Sequence, residues 1–128
     1  MKGTVQLIRA ARAARRRAYA PYSRFRVGAV LLARSGKVFV GCNVENASYG
    51  LTICAERNVV FQAIAAGERE FSAIAIAAQS KQALRPCGAC LQVLAEFAPK
   101  LRVIIANGNR IEEFSLSDLL PQGFKLKR

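Results

Sequence analysis

Cys54-Ala55-Glu56 and Pro86-Cys87-Gly88-Ala89-Cys90 bring three thiols and one carboxylate into two short motifs of a chain that has no histidine. Three thiolates can hold a zinc ion and leave a fourth position open. A structural zinc site is normally closed by four protein ligands, whereas a catalytic one keeps a place for water. Glu56 stands two residues from Cys54, in reach of the protons of such a water. With no histidine, Ser-His and Cys-His nucleophiles are excluded. The proton carrier must then be a carboxylate or a rarer lysine or tyrosine. Glu56 has seven acidic competitors, and none of them lies beside a metal-ligand candidate.

Other readings of the cysteines are weaker. Cys87 and Cys90 alone match a redox C-x-x-C pair, but that leaves Cys54 and Glu56 without a role. Cys42 could close a structural site as fourth ligand, giving a basic zinc-binding module without catalysis. It sits in the apolar run Val38–Cys42, where a small buried hydrophobe is the plain expectation. A structural site also needs no acid at position 56.

Three thiolates and Zn²⁺ carry a net charge of −1, which weakens the ion's power to acidify water. Two effects oppose this. Helix N-termini favour thiolate over thiol, and Cys54 and Cys87 are each expected at the start of a helix. Arg57, next to Glu56, can donate to a thiolate sulfur and so tune the charge of the zinc site.

Elements that position these motifs can be read from pattern. Val5, Ile8 and Ala11 follow a helical period over residues 3–18, with Pro21 beyond the end. Residues 27–33 form an apolar strand, Ser35-Gly36-Lys37 a hairpin turn, and Val38–Cys42 its partner. Residues 43–52 read as an irregular loop. A helix over 54–66 turns Val59, Val60, Ala63 and Ile64 inward and stops at Gly67. Residues 71–78 form a strand and 80–85 a polar loop. A helix over about 88–97 follows Pro86 and ends before Pro99. Residues 101–106 and 110–114 are strands around the turn 107–109, and Ser115 caps a last helical turn through Leu120. The order predicts an α/β fold: a three-layer α-β-α sandwich with a mixed sheet of about five strands, parallel through its β-α-β-α-β centre.

With 128 residues, 52% of them hydrophobic, the chain suits one domain, residues 1–128, with a substantial core. No apolar run is long enough to span a membrane. Arginines at 9, 12, 15, 16 and 17 break the N-terminal stretch where a secretory signal would need its apolar core, so a cytoplasmic protein is expected. The net charge of +12 suits a polyanion. No aromatic-interleaved basic ribbon accompanies it, so specific nucleic-acid binding is not expected.

The C-A-E and P-C-x-x-C motifs match the three-cysteine form of the zinc deaminase signature. From Ala20 to Phe124 the chain further resembles the small homotetrameric cytidine deaminases. The resemblance runs through Ala20-Pro21-Tyr22-Ser23-Arg24-Phe25, Val27-Gly28-Ala29, Gly41 to Gly50, Cys54-Ala55-Glu56-Arg57, Pro86 to Cys90 and Leu119-Leu120-Pro121. It implies zinc-dependent deamination of cytidine and 2′-deoxycytidine in pyrimidine salvage, with one zinc per subunit on Cys54, Cys87 and Cys90. Glu56 would carry protons to N3 and the leaving amine. Asn43 and Glu45 would hold the ribose hydroxyls, Phe25 would pack on the base, and the Ala55 backbone would meet the pyrimidine edge. Ala47 and Tyr49 from one neighbouring subunit and Phe124 from another would close the pocket. Related substrates, a blasticidin-like nucleoside or a cytosine in a polynucleotide, are the alternatives. Leu91 departs from the family pattern, where arginine often follows the last cysteine, and that shifts weight onto Arg57.

Overall fold

The computed structural model describes residues 3–127. Its elements are α1 (Thr4–Arg15), β1 (Gly28–Ala33), β2 (Val38–Cys42), a single 3₁₀ turn (Tyr49–Leu51), α2 (Ala55–Ala65), β3 (Phe71–Ala78), α3 (Gly88–Phe97), β4 (Arg102–Asn107), β5 (Arg110–Ser115) and α4 (Leu116–Leu119). The strands form one mixed sheet in the order β2-β1-β3-β4-β5. Helix α1 packs on one face, and α2 and α3 pack on the other, so the fold is the expected α-β-α sandwich.

Side-chain alternation builds two separate cores. Ala29, Leu31, Ile74, Ile76, Val103 and Ile105 point towards Val59, Val60, Ala63, Leu91 and Leu94 of α2 and α3. Val30, Leu32, Ala73, Ala75, Ala77 and Ile104 point towards Leu7, Ile8 and Ala11 of α1. The three alanines of β3 let α1 lie close to the sheet. Ile64, expected inward, is only partly buried and packs at the margin of its core.

Parallel pairing is narrower than expected. Among the five strands described, only β3 and β4 pair in parallel. The tight turn after β1 brings β2 back beside it in antiparallel register, and β3 pairs with the other side of β1, also antiparallel. The chain therefore crosses over β1 through α2 before entering β3. Strands β2, β3 and β4 still run in one direction, so their C-terminal ends share one edge of the sheet. That edge is where open α/β sheets place ligands.

Helix α1 also stops earlier than the periodicity predicts. Arg16 caps it, and the Tyr19 N–H donates to the carbonyl of Asn43 (3.0 Å). Pairing of Tyr19 with Val44 draws the chain out of the helix before Pro21. Val44 pairs on its other side with Ile53, so the loop 43–52 is anchored at both ends. At the start of α4 the Ser115 N–H donates to Oδ2 of Asp118 (3.2 Å).

Two strand glycines admit the helices. A Cβ on Gly28 would sit 2.0 Å from the carbonyl oxygen of Ala11 in α1, and one on Gly41 would sit 2.9 Å from the backbone nitrogen of Val59 in α2. Backbone cannot yield as a flexible side chain can. Gly28→Ala should therefore push α1 off the sheet and destabilise the fold by about 3 kcal/mol or more, at or beyond the usual cost of overpacking. Thermal denaturation of the variant checks this; an unchanged melting temperature would contradict the close approach.

Candidate active site

Cys54 and Cys87 are the N-cap residues of α2 and α3, each in extended conformation immediately before its helix. The two helix starts meet at the shared sheet edge. Cys90 lies one turn into α3 and is fully buried. Sγ of Cys87 is 4.0 Å from that of Cys54 and 3.3 Å from that of Cys90, and all three sulfurs fall within 4.8 Å of one another. Sulfurs around a tetrahedral zinc with bonds of about 2.3 Å are about 3.8 Å apart. The cluster fits that ion in both size and donor chemistry, and its three sulfurs leave one tetrahedral position for a non-protein ligand. Cys42 is not part of the cluster. It is half-buried rather than fully buried, and its carbonyl accepts from Nδ2 of Asn58 (2.8 Å).

Electrostatics follow from this placement. The Cys54 thiol pKa is lowered to about 5, chiefly because Cys90 donates to it, with Arg57 assisting. Cys90 is pushed up correspondingly, since it keeps the proton that Cys54 gives up. Nη2 of Arg57 donates to Sγ of Cys54 at 3.4 Å. The Arg57 Nε is buried and has no hydrogen-bond partner among the described residues. Leu91 points into the apolar core beneath α3 and offers the thiols nothing.

Glu56 occupies the first turn of α2 and is 6% exposed. Burial pushes its carboxyl up to about 7. A carboxylic acid of that pKa can both accept and donate a proton near neutrality. It lines a cavity of about 260 Å³ together with Cys54, Ala55 and Cys87. Cys90 and Arg57 do not line the cavity.

Phe25, Asn43 and Glu45 line the same cavity. Phe25 lies just ahead of β1 and Asn43 just after β2. The Asn43 side chain bridges the ends of that hairpin: Oδ1 accepts from the Val27 N–H (2.9 Å) and Nδ2 donates to the Phe25 carbonyl (2.8 Å). Oε1 of Glu45 accepts from the N–H groups of Tyr22 (3.0 Å) and Ser23 (3.1 Å), and Oε2 accepts from the Ser23 hydroxyl. These donors, led by the hydroxyl, hold the Glu45 carboxyl below its ordinary value.

Ala47, Tyr49 and Phe124 do not reach this cavity within their own chain. Ala47 is exposed, and Tyr49 and Phe124 are 75% and 70% exposed. Tyr49 stands against Tyr22 edge to face at 6.0 Å between centroids. The Phe124 backbone is held at both polar groups by the Gln92 side chain (2.9 and 2.8 Å).

Three polar cavity residues, Ser23, Thr52 and Arg85, carry no role in the sequence reading. Ser23 lies inside the Ala20–Phe25 motif. Arg85 lies in the loop read only as polar. Its guanidinium makes a fork to Glu112 (3.1 and 3.4 Å) and lies 4.5 Å over the Phe114 ring, tying the loop before Cys87 to β5. Its position before a Pro-Cys motif was visible in the sequence; its partners on β5 were not.

Comparison with known proteins agrees with this geometry. Residues 1–106 match the family model described as the cytidine and deoxycytidylate deaminase zinc-binding region. A cytidine deaminase from Halalkalibacterium halodurans is 51% identical over 92% of this chain and 91% of its own length. One from Sporosarcina psychrophila is 46% identical over 93% and 89%. The crystal structure of cytidine deaminase from Burkholderia pseudomallei superposes with a TM-score of 0.93 at 52% identity, covering 96% of this chain and all of that one. The three-cysteine cluster is a zinc site holding one ion per chain. With its motifs, fold and relatives in agreement, the chain belongs to the cytidine deaminase family.

Proposed function

We propose that this protein deaminates cytidine and 2′-deoxycytidine by hydrolysis, yielding uridine, 2′-deoxyuridine and ammonia, as a step of pyrimidine salvage. Glu56 carries the reading: a buried carboxyl with a pKa near neutrality, facing a small cavity beside three thiols. Zinc supplies water acidified enough to attack at neutral pH. Glu56 takes a proton from the water and gives it to ring N3, then takes the proton of the new C4 hydroxyl and gives it to the 4-amino group, which departs as ammonia. Water adds at C4, the C4–N bond breaks, and the carbonyl of uridine remains.

The other cavity residues orient the nucleoside. Asn43 and Glu45 accept from ribose hydroxyls, Phe25 packs on the base, and the Ala55 backbone meets the pyrimidine edge. Ala47 and Tyr49 of one neighbouring subunit and Phe124 of another complete the pocket of a homotetramer. Their exposure, away from their own chain's cavity, supports that sharing. The chain acts as one domain, and its four cysteines, none of them in a disulfide, suit a reducing cytoplasm. Among the described residues no helix is long and apolar enough to cross a membrane.

Zinc-loaded protein should turn over cytidine and deoxycytidine, read as loss of cytosine absorbance and release of ammonia. Turnover of neither, or of only a blasticidin-like nucleoside or cytosine in DNA, would overturn the substrate assignment.

Arg57 acts on the charge of the zinc site through its hydrogen bond to Cys54. Arg57→Gln should lower turnover about tenfold, the range expected for an outer-shell partner of a metal ligand, at unchanged zinc content. Unchanged turnover would remove Arg57 from the mechanism.

The positive charge is uneven. Residues 1–44 carry ten basic and no acidic residues, so the remaining 84 carry ten basic and eight acidic ones. Arg9, Arg12, Arg16 and Arg17 are exposed along or just beyond α1, on the face of the sheet opposite the zinc cluster. We read this charge as a non-specific polyanion surface. Binding to labelled single-stranded DNA should be measurable at low salt and vanish at physiological salt; binding that survives salt and depends on sequence would contradict that.

A further inference from the structure

Phe25 is held at both of its backbone polar groups by side chains of the cavity. Its N–H donates to Oγ of Ser23 (3.0 Å), and its carbonyl accepts from Nδ2 of Asn43 (2.8 Å). The Ser23 hydroxyl gives its single proton to Oε2 of Glu45. Its oxygen is thereby turned to accept from Phe25, so one hydroxyl links the carboxylate to the aromatic wall. Between them Arg24 adopts φ 58°, a left-handed conformation rare for a residue with a side chain. Such a residue persists only where its surroundings over-determine it. Here Glu45 grips the turn before Arg24 through Tyr22 and Ser23, while Ser23 and Asn43 grip Phe25 after it.

Counting lone pairs sharpens the point. An ionised carboxylate offers about four acceptor positions. Three positions on Glu45 are filled by its own chain: two on Oε1 and one on Oε2. One position, on Oε2, remains for a ligand hydroxyl. It adjoins the Ser23 proton, so a hydroxyl arriving there meets the group that also sets Phe25.

We propose that Ser23 is a positioning residue that joins the sugar-binding carboxylate of Glu45 to the base-packing wall at Phe25, so that both halves of the nucleoside pocket are set together. This rests on the cytidine reading above. Without the hydroxyl, the Phe25 N–H loses its acceptor and Glu45 loses a charge-assisted donor. Nucleoside binding suffers, while the proton transfers at Glu56 do not.

Steady-state kinetics of zinc-loaded wild type, Ser23→Ala, Ser23→Thr, Glu45→Gln and the Ser23→Ala/Glu45→Gln double variant test this. Ser23→Ala should raise KM for cytidine about tenfold, the scale of one charge-assisted hydrogen bond, with kcat within about threefold. Ser23→Thr, which keeps the hydroxyl, should restore a KM close to wild type. The double variant should raise KM by less than the product of the two single effects, because the two residues share one bond. Additive KM effects, an unchanged KM in Ser23→Ala, or a threonine variant as impaired as the alanine one would each overturn the proposal. If Ser23→Ala does not fold, the threonine variant alone decides it by the same KM criterion. A wild-type protein inert towards cytidine would instead overturn the underlying substrate reading.

Discussion

Glu56→Gln is expected to lower turnover of cytidine by about 10²–10⁴-fold, the range that general acid–base catalysis contributes, with zinc still bound. The substitution keeps the shape of the side chain and removes its ability to carry a proton. No histidine exists to replace it, and the other acid lining the cavity, Glu45, is held by Tyr22 and Ser23. The same variant should change stability in the opposite direction. Burial raises the Glu56 pKa from 4.5 to about 7, so the folded zinc-free chain binds that proton more tightly than the unfolded chain does. Its folded-state contribution is intact below pH 4.5 and is lost as pH rises to about 7. The loss is on the order of 3 kcal/mol, at about 1.4 kcal/mol per pKa unit. Glutamine never pays this cost. Zinc-free Glu56→Gln should therefore withstand denaturant better than zinc-free wild type at pH 8, with the gap closing towards pH 4.5. The lowered Cys54 pKa acts with the opposite sign but is present in both chains, so it largely cancels. A denaturation series across that pH range measures the difference.

Cys90→Ser should abolish zinc retention and with it activity. Cys90 is fully buried, and its sulfur lies 3.3 Å from that of Cys87. A serine oxygen is a shorter, harder donor and cannot take its place as a thiolate. Losing an outer-shell partner costs 10–100-fold in metal affinity, and losing a ligand costs more. Held by Cys54, Cys87 and Cys90, zinc would tie together the starts of α2 and α3, and a ligand that binds only the folded chain stabilises it by about 4 kcal/mol at 1,000 times its dissociation constant. Chelation should lower the melting temperature of wild type. Cys90→Ser should melt at a reduced temperature that chelator leaves unchanged. A variant that melts like zinc-loaded wild type would show that Cys90 is no ligand.

What the sequence disclosed depended on how local each determinant was. Cys54, Glu56, Cys87 and Cys90 lie in two short motifs at helix starts, where spacing alone implies convergence. The β1–β2 hairpin was equally plain, because an apolar run on each side of Ser35-Gly36-Lys37 has one sensible pairing. The insertion of β1 between β2 and β3 was not, since strand order is decided by which edge α2 carries the chain to. The helical period runs past the end of α1 for a related reason: backbone pairing at Tyr19, far along the chain from Val44, outcompetes helix continuation. Gly28 and Gly41 each lie under a helix, which nothing in the strand pattern around them announces. Ser23 and Arg85 belong to the site through partners 22 and 27 residues away, and no local pattern announces such pairs.

Zinc titration of the metal-free protein, followed by ammonia release from cytidine, tests the central claim most directly. Turnover should be absent without metal, rise in proportion to zinc, and level off at one ion per chain. Appreciable turnover by metal-free protein, or a plateau at a different stoichiometry, would contradict a three-cysteine zinc centre served by Glu56.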